Sequence, residues 1–458
     1  MKIKKRPFIR CFVFALIFLV GFFTPLTLQA SGWKAGMARA VITPDESVWM
    51  AGYAGRDKPS QGKIHDLYAK ALALEDSSGN RAVIVTLDLI AVSRELASFV
   101  SEKCREEFGL ERESLLINAS HTHCGPEIRP NKVPFFGIPD EYAIKIEPTM
   151  REIGKKCVTA IREALQDLEP CRLSFSSGKA DFAVSRRHPS EQGILYKPYM
   201  GGPRDNIVPV LCISDSDGNV RGILFGYACH PITLNIYQFC GDYPGYACRY
   251  LEETYPGATA FFLQGAAGQL VPHARFQMEY AWGHGRQLAE TVKNAIGGNR
   301  KEISPQLKQA FTEVRLDFAP PPSREALEKN LESGNAAIKR KARYLLERMD
   351  KNEEIIASHP CPLQVLSLGR VLLLVAVGGE VVVDYALRIK EENSSSFVWV
   401  AGYSNDVFGY LPTLQILREG GYEGRDAILY TPFPGPFAES VEDRVLEGVR
   451  ILISRISK

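Results

Sequence analysis

Three times along this chain, an apolar strand, a short turn and a second apolar strand end at a side chain able to hold a metal or move a proton. Leu74-Glu-Asp-Ser-Ser-Gly-Asn80 leads into Ala82–Leu87 and stops at Asp88. Ile213-Ser-Asp-Ser-Asp-Gly-Asn219 leads into Gly222–Gly226 and stops at His230. Val365-Leu-Ser-Leu-Gly-Arg370 leads into Val371–Val377 and stops at Glu380. In the first two, a Gly-Asn turn marks a hairpin. Each hairpin is followed by a helical stretch and another strand. These strands are Leu115–Asn118 before His121, Thr259–Leu263 before Gly265-Ala-Ala-Gly268, and Phe397–Val400 before Tyr410. Asp88 to His121, His230 to Gly265 and Glu380 to Tyr410 are 33, 35 and 30 residues apart. The alternation predicts a mixed α/β (α+β) fold in one large domain, built from hairpin–strand–helix–strand quasi-repeats. Such units would bring their strand ends together, and ligands bind at the carboxyl ends of strands in α/β sheets.

Composition narrows the partners. The 458 residues are 45% hydrophobic and 24% charged, enough apolar material for a large core. With 55 Lys+Arg against 53 Asp+Glu there is no bulk excess of base, so a nucleic-acid partner is not expected. No protein partner is indicated either. Residues 1–10 hold five bases and no acid, Cys11–Phe23 is uncharged, and Leu28-Gln29-Ala30 places a small residue before Ser31. That is the pattern of a signal peptide over residues 1–30, which predicts a secreted or periplasmic protein. The alternative is an uncleaved N-terminal anchor. Cleavage turns the formal charge of +2 into −3 and leaves nine of ten cysteines, with no Cys-x-x-Cys pair.

Helix signals fill the intervals. Ser93 is placed to cap a helix reaching about Phe108. Met150, Ile153, Cys157, Ile161 and Leu165 share one helical face, as do Val441, Val445, Val449 and Leu452. Arg324 to about Glu354 reads as a solvated helical pair broken at Gly334, with the Pro320-Pro-Pro-Ser323 turn before it.

The sharpest local signal is Asn118-Ala-Ser-His-Thr-His-Cys-Gly-Pro126. An extended chain points His121 and His123 the same way. Two such imidazoles suit a metal, or one ligand and one catalytic group. His230 closes an apolar strand, as a ligand or as a hydrogen-bonded core histidine. Glu380 also follows an apolar run, where a carboxylate is costly unless paired or metal-bound. A helix N-terminal acid is the other reading. There is no Gly-x-Ser-x-Gly elbow, Walker loop, dinucleotide glycine fingerprint or His-Glu-x-x-His helix.

His121-Thr-His-Cys-Gly-Pro126, Cys229-His230, Cys240-Gly-Asp-Tyr-Pro-Gly-Tyr246, Gly378-Gly-Glu380, Ser404-Asn-Asp406, Tyr410 and Tyr422-Glu-Gly424 resemble, in order and spacing, the neutral/alkaline ceramidases. The resemblance covers most of residues 33–435. It implies a secreted zinc amidohydrolase that cleaves an N-acyl lipid such as ceramide, with residues 31–458 as the catalytic domain. It implies Zn²⁺ held by His121, His230, Glu380 and Tyr410, and His123 against the reacting carbonyl. Arg186 and Tyr422 fall at family site positions. Asp88 and Asp242 are candidates to orient the ligating histidines.

Two departures from the family stand out. Gly268 falls where the family carries a catalytic Ser, and the family's C-terminal β-sandwich has no expected counterpart. Without the hydroxyl, the expected mechanism uses zinc-activated water. His123 and Arg186 would stabilise the oxyanion, and backbone N–H groups around Gly268 would add to it. Peripheral membrane contact for substrate access is part of the expectation. A zinc hydrolase of a different N-acyl or ester substrate is the alternative, and a non-catalytic lipid- or glycan-binding protein on the same fold is the third reading.

Overall fold

The two Gly-Asn turns close alike, bond for bond. Asp76 Oδ1 accepts from the N–H groups of Ser78 and Asn80, both at 2.9 Å. Asp215 Oδ1 accepts from Asp217 and Asn219 at 2.9 and 2.8 Å. Gly79 (φ 83°) and Gly218 (φ 90°) take the left-handed conformation that the turn requires and that side-chain-bearing residues rarely adopt. The structure is a computed structural model that describes residues 1–2 and 32–457. Beyond its first two residues, the expected signal segment lies outside the described residues.

Each hairpin opens a unit of the same topology. In the first, β1 (Tyr68–Glu75) pairs antiparallel with β2 (Arg81–Leu87), α1 (Arg94–Phe108) crosses over, and β3 (Leu115–Ala119) returns parallel to β2. The second runs β4 (Ile207–Ser214), β5 (Val220–Tyr227), α2 (Asp242–Thr254) and β6 (Thr259–Gln264). The third runs β7 (Ser358–Leu368), β8 (Leu372–Val377), α3 (Val383–Glu392) and β9 (Phe397–Ala401). A parallel return needs a crossover, and the helix supplies it each time.

Units one and two are joined into a nine-stranded sheet through the strands Glu169–Lys179 and Trp33–Val41 at its centre, with β6 and β3 at its ends. Unit three forms a four-stranded sheet with Leu307–Asp317, and β9 is its edge. The three edges meet. Isolated bridges link Asn118 to Ser404 and Gly265 to Ala401. The buried Asn118 amide accepts from Gln264 N–H at 2.9 Å and donates to the Gly402 carbonyl at 2.7 Å. An apolar layer holding Leu72, Ile84, Leu116, Leu224, Phe261, Leu263, Leu374 and Trp399 packs these units together. Each fully buried leucine there contributes about 1.5–3 kcal/mol. The strand ends therefore converge.

The other helices follow their apolar faces. Ser93 Oγ accepts from Leu96 N–H at the start of α1. Asp140–Gln166 buries Met150, Ile153, Cys157 and Ile161, and Val441–Ser457 buries Val441, Val445, Val449 and Leu452. The charged stretch forms two helices, Arg324–Asn330 and Ala336–Asp350, with Gly334 between them. Among the described residues all nine cysteines are buried and unpaired, and no helix is long and apolar enough to cross a membrane.

Candidate metal centre

His121 sits just past β3 with φ 68°, a left-handed conformation that a β-carbon disfavours. The His-x-His segment is therefore not extended, contrary to the expectation from spacing. The turn after β3 is fixed by two bonds, Ser120 N–H to Leu87 O and His121 N–H to Leu89 O. It still brings His121 and His123 together, with their Nε2 atoms 3.3 Å apart. His230 follows β5. Glu380 and Tyr410 are neighbours because two short strands, Glu380–Val381 and Tyr410–Leu411, pair in parallel with these residues in register.

The donor set converges. Glu380 Oε2 lies 3.3 Å from His121 Nε2 and 3.4 Å from His230 Nε2. The Tyr410 hydroxyl lies 3.3 Å from His230 Nε2. The three imidazoles of His121, His123 and His230 each place a nitrogen within 4.8 Å of the others. His121 Nδ1 bonds the Ile90 carbonyl at 2.6 Å and His230 Nδ1 bonds the Ala267 carbonyl at 2.8 Å. A carbonyl only accepts, so both Nδ1 atoms carry a proton and both Nε2 atoms are left to face the centre. They face Glu380 Oε2, a buried atom with no hydrogen-bond partner. Burial, Arg186 and His121 hold His230 down to about 4, so it is neutral at pH 7.

Two imidazole nitrogens, a carboxylate oxygen and a phenol oxygen converging in a buried site fit a cation. The spacing fits as well. A tetrahedral ion with bonds of about 2.0–2.1 Å has ligand–ligand edges of about 3.3–3.4 Å. Burial pushes the Tyr410 phenol well above its usual value, and Arg186 beside it only partly opposes this.

His123 differs from the other two imidazoles. Its buried Nδ1 has no partner. Burial and the two neighbouring imidazoles hold its pKa well below the ordinary histidine value. Its ring packs on Tyr53 at 4.9 Å, and a β-carbon at Gly52 would lie 2.6 Å from it. Arg56 donates to the His123 carbonyl at 2.7 Å and is itself held by the carbonyls of Ala51 and Ile236.

Arg186, not Arg187, reaches the centre. Its Nη2 donates to the Tyr410 hydroxyl and to the Gly268 carbonyl, both at 2.8 Å. Its Nε donates to buried Glu423 at 2.7 Å and its Nη1 to Tyr196 at 3.1 Å. Arg187 turns instead to Glu419 and the other oxygen of Glu423. With four of its five N–H groups engaged, Arg186 holds Tyr410 in place rather than offering a free oxyanion donor. Tyr422 lines the same cavity and packs edge-on against Tyr410 at 5.4 Å. Burial raises its phenol, so it keeps its proton at neutral pH.

Three expectations need correction. The Gly268 N–H donates to the Val381 carbonyl at 2.8 Å, so it is not free to bind an oxyanion. Asp88 does not orient a histidine. It accepts from Tyr68 N–H and lines a separate cavity of about 550 Å³ with His65, Lys70 and Glu252. Asp242 accepts from the Thr233 hydroxyl and from the N–H groups of Leu234 and Tyr243, and burial pushes its carboxyl up to about 6. The partners that orient the histidines are backbone carbonyls.

Other site residues carry no motif of their own. Gly52, Tyr53 and Arg56 lie in Gly52-Tyr-Ala-Gly-Arg56, whose only sequence signal is its paired glycines. Tyr403 packs its ring 4.5 Å from His121, and its buried hydroxyl has no partner. Arg129 and Lys132, just beyond the histidine motif, line the cavity too.

Residues 33–311, more than half of the chain, match the family model described as neutral/alkaline non-lysosomal ceramidase, N-terminal. The chain is 27% identical to Neutral ceramidase A of Dictyostelium discoideum over 269 residues, 54% of this chain and 36% of that protein. It is 25% identical to the Neutral ceramidase of Drosophila melanogaster over 244 residues, 50% of this chain and 33% of that protein. These matches thus span about a third of each relative's length. The crystal structure of neutral ceramidase from Pseudomonas aeruginosa shares its fold, with a TM-score of 0.69 at 20% identity over 92% of this chain and 75% of that one. A structure titled ceramidase complexed with C2 aligns with a TM-score of 0.71 at 19% identity, over 93% of this chain and 76% of that one.

Proposed function

The chain belongs to the neutral/alkaline non-lysosomal ceramidase family, and from that premise we propose that residues 31–458 are a zinc-dependent hydrolase cleaving the amide bond of an N-acyl lipid such as ceramide. The observation that carries the reading is the convergence of His121 Nε2, His230 Nε2 and Glu380 Oε2 at 3.3–3.4 Å, with Tyr410 beside them. These four residues would hold the ion. When bound, zinc supplies a water of lowered pKa and a positive charge for the developing oxyanion.

The remaining chemistry belongs to the chain. Hydrolysis adds water across the amide, breaks the C–N bond and leaves a carboxylate and an amine. His123 is neutral, and neither of its nitrogens is tied to a carbonyl. It is the imidazole suited to donate to the reacting oxygen and to move a proton to the leaving nitrogen. Tyr422 keeps its phenolic proton and supplies a donor to the amide. Arg186 holds Tyr410, and Glu423 holds Arg186. The basic, then apolar, then small-residue pattern of residues 1–30 supports export to the periplasm or exterior.

A hydrolase of a different N-acyl or ester substrate remains the second reading, because of Gly268. A β-carbon there would lie 2.8 Å from the Glu380 carbonyl oxygen, so this backbone has no room for the serine. The test is product analysis with the purified chain on a short-chain ceramide, with added zinc and with a chelator. Release of sphingosine that stops on chelation is expected. Turnover of short N-acyl amines or esters but of no ceramide would select the second reading. Chelator-insensitive turnover would defeat the zinc assignment.

A further inference from the structure

The cavity over the metal centre has a second polar wall that the hydrolysis scheme does not use. Its volume is about 110 Å³, well below the ~300–1,000 Å³ of a site that encloses a whole drug-sized ligand. Only the polar head of a substrate fits inside. His121, His123 and Glu380 line one side, and Arg129, Lys132 and Tyr430 are also in its lining.

Lys132 is the anomaly in this wall. It is 6% exposed, and its ammonium makes one hydrogen bond, to the Tyr430 carbonyl at 2.9 Å. It forms no ion pair among the described residues. The carboxylate nearest in sequence is spent elsewhere. Glu127 takes Arg129 in a two-point pair at 2.7 Å through each oxygen, and its Oε1 also accepts the N–H groups of Ile128 and Arg129. Glu380, the acid that does line the cavity, faces the imidazoles.

A purely structural lysine looks different in the same neighbourhood. Lys341 is equally buried but lies outside the cavity lining, and its ammonium is shared between the Thr431 and Phe433 carbonyls. That bond pair already ties down the loop that Lys132 touches. Burial and a neighbouring charge push both lysines down to about 7, so what sets Lys132 apart is its single carbonyl and its place in the cavity lining.

We propose that Lys132 is the anion-binding residue of the cavity, and that the preferred substrate is an N-acyl amide carrying a carboxylate close to the scissile bond, as in an N-acyl amino acid. The amide lies at His121, His123 and His230, the carboxylate at Lys132, and the acyl chain runs out of the small cavity. The inference rests on the amide-hydrolase reading and specifies its substrate class.

The test compares N-octanoylglycine with uncharged N-octanoylglycinamide, using the zinc-supplemented full chain and its Lys132→Met and Lys132→Arg variants. A charged hydrogen bond is expected to give the acid at least about a tenfold advantage in kcat/KM. Lys132→Met should bring that ratio near one, and Lys132→Arg should keep it. A lysine with only a structural role would lower both rates alike and leave the ratio unchanged, and that result overturns the proposal. Equilibrium binding of N-octanoylglycine to metal-free chain gives a second readout, expected to weaken at least about tenfold in Lys132→Met. If the wild type cleaves neither compound, the hydrolase reading fails. The binding comparison then decides the anion site alone, and equal binding by wild type and Lys132→Met refutes it.

Discussion

The two walls of the central cavity are incomplete in opposite senses. On one, two imidazole nitrogens face, at 3.3–3.4 Å, a carboxylate oxygen that has no hydrogen-bond partner. On the other, a buried ammonium has one carbonyl and no acid. Several other buried charges of this chain are paired. Lys70 finds Glu252 at 2.7 Å, and Glu423 takes both Arg186 and Arg187. Lys341, outside the cavity lining, also lacks an acid but is shared between two carbonyls. The cavity differs in holding unmet groups of both signs together, where arriving partners complete them. One wall calls for a cation and the other for an anion.

The largest effect should come from the first wall. Glu380→Ala removes the carboxylate that the two imidazoles face and is expected to cost at least about 10³-fold in kcat/KM. A smaller loss than that at Lys132→Met is part of the comparison. If the Lys132 variant is the more damaged of the two on a neutral amide, the division of roles between the walls breaks.

Gly268→Ser sharpens the first wall further. The new β-carbon would meet the Glu380 carbonyl at 2.8 Å and the Val381 carbonyl at 3.0 Å. The strand that carries Glu380 must shift, so zinc affinity should fall about tenfold, measured by competition with a chromogenic chelator. A gain of activity on ceramide instead would show that the backbone yields and that the position accepts the family's hydroxyl.

The second wall is read through stability. Lys132 sits at about 7 when folded, below the ordinary lysine value of about 10.4. Between those values the unfolded chain binds the extra proton, so this residue makes stability rise with pH from about 7 to about 10 and removes it as pH falls. Lys132→Met should therefore stabilise the chain at pH 7, on the order of 1–3 kcal/mol in denaturant titrations. The gain should shrink by pH 10. Lys341, also near 7 through burial and the Lys132 charge, leaves part of the slope behind. Destabilisation at pH 7 would mean that the Tyr430 bond outweighs the buried charge.

The first wall was legible because its residues sit at the ends of patterned strands. Gly79 and Gly218 announce their turns, the apolar runs that follow announce strands, and His121, His230 and Glu380 come directly after. Strand-end position alone was not enough. Asp88 occupies the place in unit one that His230 occupies in unit two, yet its carboxylate turns back to Tyr68 N–H. Nor does His-x-His spacing reveal a left-handed His121, because that turn is set by bonds to Leu87 and Leu89 on a neighbouring segment. Gly268 invited an oxyanion role that only the contact with Val381 rules out. The second wall was invisible for the same reason. Lys132 reads as an ordinary surface lysine until the loop at Tyr430 closes over it.

The measurement that tests the account most directly is metal content. Inductively coupled plasma mass spectrometry of the purified chain, after dialysis against zinc and then metal-free buffer, should find one zinc per chain. The same treatment of His230→Ala and Glu380→Ala should find well under that. A wild type that retains no zinc, or variants that retain as much as the wild type, would contradict the centre described here.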